Sequence, residues 1–355
     1  MTSIRSLEQT LAQNIDWNKA RINFLAKFLI ALIQVRTINL TEIACVFAGT
    51  ANQASHYKRI QRFVQGFQIN YAKIAVLLVS LIGVPAPWVL TLDRTNWQLG
   101  KTSLNILVLG IAYKGVAIPI LWTILEKKGN SNTLERQAIV SQFVALFGLD
   151  SIFYLTADRE FIGKTWFEWL IKQGIDFRIR IRQNSQIANA RGKVVEVQQL
   201  FRNLKLKQAL VIDKSRRMWG LELYVSGMRL VGCEYVIVVA PTYAATALED
   251  YGKRWEIETL FGCLKSRGFR LEETHVIKAE RLKKLIALLA QGFCWAHVVG
   301  EWLIEHKPLK LKRHGRLAKS LFGYGLNYLR RILCNLSERS QRIAFQRVIQ
   351  LLSCT

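Results

Sequence analysis

The chain has 355 residues, 51% of them apolar, with 50 lysines and arginines against 25 acids and a formal charge of +25. The apolar share supports a sizeable core and excludes global disorder. The charge imposes self-repulsion that a polyanionic partner, either nucleic acid or an anionic membrane surface, would relieve. The basic clusters "KRIQR", "RIRIRQN", "DKSRR", "LKSRGFR", "ERLKK" and "KLKRHGR" are spread from Lys58 to Arg316. A local polybasic anchor would be concentrated, so the spread favours a long contact track, although each cluster alone reads as a solvated face. The six cysteines form no Cys-x-x-Cys pair and the histidines no zinc-type spacing, so the thiols read as reduced and structural. No signal-peptide core opens the chain, and the expectation is a cytoplasmic protein.

In chain order, residues 1–85 read as helical. "NKARINFLAKFLIALIQV" carries apolar residues at helical spacing, and "NLTEIACVFAGTANQASHYKRIQRFVQGF" reads as two short helices, the second basic. That pair suits either a helix-turn-helix or a plain helical subdomain. The uncharged run Ile74–Leu92 is nearly long enough to span a membrane, but Pro85 and Pro87 split it into a buried helix, a turn and a buried strand. From there "WVLTLDRTNW", "LNILVLGIAY" and "VAIPILWTIL" read as a three-strand meander, with a Lys-Gly hairpin turn between the last two. A capped helix at "SNTLERQAIVSQFVALFG", a strand at "SIFYLTADREF", a helix at "GKTWFEWLIKQG" and a strand at "DFRIRIRQN" follow. This order implies an α/β fold, a mixed sheet with helices on its faces. Residues 185–242 read as a β-rich insertion, 243–280 return to the core, and 281–355 form a C-terminal helical region in which "LIALLAQGFCWAHVVG" is a core helix.

Asp93 sits inside the first strand of the meander and Asp158 at the carboxyl end of the fourth. A carboxylate in an apolar strand is costly unless paired or metal-bound. Arg94 and Arg159 follow directly, so either aspartate alone is equally a salt bridge or a site; two Asp-Arg steps in one sheet favour a site. In "YGKRWEIETLFGCLK", stepping about 100° per residue from Tyr251 puts Arg254, Glu258 and Lys265 within about 60° of it, while Glu256 falls at about 140°. Helical phase therefore selects Glu258 and leaves Glu256 solvated or paired elsewhere. Taken alone, Arg254 and Glu258 are an ordinary i,i+4 pair.

The spacing Tyr251-x2-Arg254-x3-Glu258-x6-Lys265, with "LTLDRTNW" and "TADREFIG" before it, resembles bacterial insertion-sequence transposases of the insertion-sequence-four family. "KGVAIPILW" and "KGNSNTLER" are similar to its intervening sequence, and the likeness runs from about Pro87 to His275. The resemblance implies a ribonuclease-H-like core with a β-rich insertion. It implies an Asp-Asp-Glu triad of Asp93, Asp158 and Glu258 holding Mg2+, two ions, with Mn2+ as a substitute. The partners it implies are double-stranded DNA, both terminal inverted repeats and target, and a second copy of the chain in a synaptic homodimer, with no membrane and a nucleoid-associated location. Arg254 and Lys265 would meet phosphates, with Arg94, Asn96 and Arg159 flanking the site. Tyr251 would lie near the cleaved end, and Trp219 or Tyr235 of the insertion would stack a flipped base. A catalytically silent DNA-binding copy and a cellular nuclease on the same fold are the alternatives.

Overall fold

The computed structural model describes residues 2–313 and 317–352. The end of the "KLKRHGR" cluster, from His314, lies outside them. Five helices come first: α1 (Thr2–Asn14), α2 (Lys19–Val35), α3 (Leu40–Val46), α4 (Gln53–Gly66) and α5 (Tyr71–Ile82). Asparagines start four of them: Asn18, Asn39, Asn52 and Asn70 each accept a backbone N–H of the first turn. The run from Ile74 is the expected buried helix, turn and strand: α5 stops at Gly83, which takes the left-handed conformation, and β1 (Trp88–Leu99) begins beyond the prolines.

The meander continues with β2 (Thr102–Tyr113) and β3 (Val116–Ile124). Lys114 and Gly115 both have positive φ, as the tight hairpin between them demands. Then α6 (Thr133–Phe147) opens on a capping box of Asn132 and Glu135. After it come β4 (Ile152–Ala157), α7 (Lys164–Lys172) and β5 (Phe177–Ile181). The insertion holds β6 (Gln186–Ala188), β7 (Val194–Glu196), β8 (Ala209–Val211), β9 (Arg216–Met218), β10 (Leu221–Arg229) and β11 (Tyr235–Ala240). The chain closes with α8 (Ala247–Gly252), α9 (Trp255–Leu264), α10 (Ala279–His306), α11 (Leu321–Cys334) and α12 (Arg339–Gln350).

Sheet order is β3-β2-β1-β4-β5-β11-β10-β8, with β9 paired to β10. The meander is antiparallel, β1, β4 and β5 run parallel, and β11 returns antiparallel to β5. The result is a mixed α/β sheet flanked by helical regions, in a ribonuclease-H-like arrangement. Most of the insertion's strands extend this sheet, and only β6 and β7 form a separate ribbon. Every residue from Leu104 to Ile111 and from Val116 to Trp122 is buried, so both faces of β2 and β3 are covered.

Helix α10 joins the two helical regions. It packs on α2, α4, α5, β3 and α11. By length and composition it could cross a membrane, yet 89% of its most apolar 18-residue window is buried inside the protein. Trp295 donates its indole N–H to the Val348 carbonyl of α12, and Asn14 of α1 donates to Leu352 beyond it. The N- and C-terminal helices therefore form one layer. Helices α10 and α11 cross so closely that a methyl group on Gly325 would lie 1.8 Å from the Ala296 carbonyl oxygen, and one on Gly300 would lie 2.0 Å from that of Leu321. Gly325→Ala is expected to destabilise the fold by roughly 1–3 kcal/mol or more in urea or thermal unfolding. Gly66→Ala, whose added methyl group meets nothing within 4 Å, serves as the neutral control. Equal unfolding midpoints for the two variants would refute this close crossing.

Candidate active site

Strands β1 and β4 run parallel in register, with Leu92 opposite Ala157. One further step along both strands reaches Asp93 and Asp158, so the pairing itself brings these two acids side by side. Asp93 is fixed by the Arg94 backbone N–H, which donates to its Oδ1 at 2.7 Å. Asp158 heads a tight turn: its Oδ1 accepts the Glu160 N–H at 2.8 Å and its carbonyl accepts the Phe161 N–H.

Helix α9 packs against β1, β2 and β3 and brings the third carboxylate. Arg254 joins them: its Nη1 lies 2.7 Å from Glu258 Oε1 and 3.6 Å from Asp93 Oδ2. The predicted continuous helix is broken here. Helix α8 ends at Gly252, and the chain passes Lys253 and Arg254 on bonds of three-residue span before α9 begins. Tyr251 and Arg254 still meet, with the guanidinium carbon 5.7 Å from the Tyr251 ring centre. Glu256 is off the Arg254 face as helical phase requires, but it is buried rather than solvated. Its Oε1 takes the Lys253 ammonium at 3.5 Å, and burial raises its carboxyl above the usual range.

Three arginines outside this cluster brace it. Arg94 turns away from both aspartates; its Nε and Nη2 donate to Glu160 at 3.1 and 2.8 Å, and its other donors go to Asn105 and Asn130. Arg136, buried on α6, donates to the carbonyls of Ser131, Glu160 and Ile162 and so holds the turn that follows Asp158. Arg178, buried on β5, pairs with Asp176 at 2.7 Å and with Asp250 at 3.3 Å, which anchors α8 to the sheet. The "RIRIRQN" cluster is thus partly an internal brace rather than a solvated face. Sequence reasoning missed Arg136 and Arg178. The signal available was an arginine on the apolar face of a helix and one in a strand two residues after an aspartate.

The remaining predicted residues divide by exposure. Arg159 and Asn96 are exposed. Lys265 Nζ is held at 2.8 Å by Glu272 and donates to the Asn96 carbonyl, tying the end of α9 to β1. Tyr251 and Tyr235 are buried, and Trp219 is half-buried against Phe167. Sequence reasoning also passed over Trp255, which is 60% exposed, one turn before Glu258 on the same face. Its ring lies 4.8 Å from the Arg254 guanidinium carbon. With Glu258 and Thr259 it lines an open hollow of about 740 Å3 that also takes in Lys114 and Arg267.

Burial first, then the neighbouring Asp158, push the Asp93 carboxyl up to about 7; the Arg94 N–H and the Arg254 guanidinium pull it back, and Glu258 adds a further upward push. Carboxylate oxygens are the donors that hard divalent cations take, so the donor set suits Mg2+. The spacing as it stands does not close on an ion: among the described residues no three His, Cys, Asp or Glu side chains are grouped to hold one.

The family description "Transposase DDE domain" matches residues 86–291, more than half of the chain, from just before β1 into α10. All three carboxylates fall inside that span. The chain belongs to this transposase family. Among solved structures it is similar to the piggyBac transposase synaptic complex with hairpin DNA, at 11% identity and a TM-score of 0.47, over 98% of this chain and 79% of that one. No curated protein matches it.

An Asp carboxyl raised in the folded state makes ionisation oppose folding. The cost is absent below the ordinary carboxylate range and complete above pH 7. Asp93→Asn should therefore stabilise the protein at pH 8, by about 1–2 kcal/mol once the lost attraction to Arg254 is counted. The gain should fade as the pH falls through 7 toward the ordinary carboxylate range. A gain independent of pH in thermal melts would remove the ionisation of a buried Asp93 as its cause.

Proposed function

We propose that this transposase-family protein cuts DNA at the ends of its own mobile element and joins those ends to target DNA, as insertion-sequence-four transposases do. The observation that carries this reading is the meeting of Asp93 and Asp158 at adjacent parallel strands, with Glu258 tied to Asp93 through Arg254. Asp93, Asp158 and Glu258 would hold Mg2+, as two ions, or Mn2+. When bound, divalent cations supply Lewis acidity at the scissile phosphate and at the attacking oxygen.

The protein's own part is to hold DNA in line with those carboxylates. Arg254 beside Asp93 and the exposed Arg159 next to Asp158 are the cations offered to a phosphate, and Lys265 can reach one by exchanging Glu272 for it. Tyr251, buried beneath Arg254, steadies the guanidinium. Trp255 presents a free aromatic face next to Glu258 on which a base can stack. Joining two ends in concert calls for two copies of the chain on the DNA.

The test is to mix the protein with DNA carrying the sequences that flank its gene, with and without Mg2+. Nicked and joined products that need Mg2+ support the reading. Tight binding without products identifies a silent binding protein, and cleavage without joining identifies a nuclease. Asp158→Ala should lower cleavage about 1,000-fold or more while leaving DNA affinity within a few-fold. Loss of binding alongside activity in a folded variant would argue against the metal-ligand role. Trp255→Ala should weaken binding by about 1–3 kcal/mol, Trp255→Phe by much less. Equal affinities for wild type and Trp255→Ala would remove the stacking role.

A further inference from the structure

Asp93 and Asp158 lie at adjacent strand ends, Arg254 ties Glu258 to Asp93, and most other cations around them are engaged elsewhere. Arg94 is held by Glu160, Arg136 by backbone carbonyls and Lys265 by Glu272. Arg254 is the cation set between two of the carboxylates, with one nitrogen, Nη1, facing both Glu258 and Asp93. Its side chain is 7% exposed, and its Nε is buried without a partner. The guanidinium carbon lies 5.7 Å from the buried Tyr251 ring and 4.8 Å from the exposed Trp255 ring. It therefore rests, largely buried, between a buried ring on one side and an exposed ring on the other.

We propose that Arg254 is a resident cation that competes with divalent metal for Asp93 and Glu258, and that DNA opens the metal site by drawing this guanidinium onto a phosphate. The proposal rests on the reading of the three carboxylates as the metal site. Guanidinium and a divalent ion cannot share the same two oxygens at contact distance, so one must leave for the other to bind. A planar fork suits a phosphate at least as well as a carboxylate. The Trp255 face gives it a path outward that keeps it over an aromatic ring. Metal and DNA then become coupled ligands, each tightening the other by the same factor, and Arg254 is the element that couples them. Such a device would keep a cleaving centre unloaded until DNA is seated.

The experiment is a Mn2+ titration followed by electron paramagnetic resonance, on the full chain alone and with a saturating duplex of arbitrary sequence at low salt. Wild type, Arg254→Gln and Asp158→Asn are compared, each first shown to be folded by its melting curve. For wild type, Mn2+ should bind weakly alone and about tenfold or more tighter with duplex. Arg254→Gln should bind Mn2+ about tenfold or more tighter than wild type without duplex, and duplex should then add less than about threefold. Arg254→Met, which fills similar space without charge, replaces the glutamine variant if that variant does not fold. If the folded Arg254 variant binds Mn2+ no tighter than wild type, while Asp158→Asn weakens it, the competition is overturned and the metal site stands. Unchanged Mn2+ affinity in Asp158→Asn overturns both.

Discussion

Two aspartates held side by side repel each other, and much of the core is arranged around that repulsion. The parallel pairing of β1 and β4 dictates it, because the register that sets Leu92 opposite Ala157 carries Asp93 and Asp158 to the same level. Backbone N–H groups from Arg94 and Glu160 offset part of the cost, and the Arg254 guanidinium, 3.6 Å from Asp93, offsets a further part. Burial first, and then this repulsion, leave the Asp93 carboxyl raised. A strained pair of like charges in a packed sheet is a poor solution for stability and a good one for gathering cations.

The rest of the core serves to keep that pair and its third partner aligned. Arg136 reaches from α6 to the turn after Asp158, while Arg178 reaches from β5 to α8, directly ahead of the segment that carries Arg254. The Tyr154 hydroxyl donates to the Asp250 carbonyl and reinforces the same anchor. Buried arginines of this kind act through hydrogen bonds to fixed carbonyls and carboxylates, which gives direction as well as attraction. Helix α10 packs on α2, α4, α5 and α11 and so ties helices from both ends of the chain to the sheet through β3.

Much of this was legible in the sequence, for identifiable reasons. Strands β1 to β3 were readable because apolar runs broken by Lys114-Gly115 have few other solutions. The capped start of α6 and the buried reading of Ile74–Leu92 rest on equally local chemistry. The break between α8 and α9 was not readable. Helical phase from Tyr251 to Lys265 looks continuous, and the tightened turn at Lys253 and Arg254 coincides with the point where Arg254 meets Asp93 of β1. Sequence leaves Glu256 solvated or paired elsewhere because it gives a face but not what covers it; Glu256 is paired with Lys253 and covered by the hairpin between β2 and β3. Trp255 was passed over for the opposite reason, since an aromatic in a helix ordinarily packs inward and this one does not.

The sequence by itself determined the element order and the mixed sheet, because these follow from periodicity and turn chemistry within short segments, and it placed Glu258 rather than Glu256 on the Arg254 side of the helix, because that follows from helical phase. The tertiary structure alone decided that the insertion extends the sheet, that Arg94 serves Glu160 rather than the aspartates, and that Arg254 stands between Asp93 and Glu258. Those facts depend on contacts across large separations in the chain, where packing and charge neutralisation choose among partners that local pattern leaves equivalent.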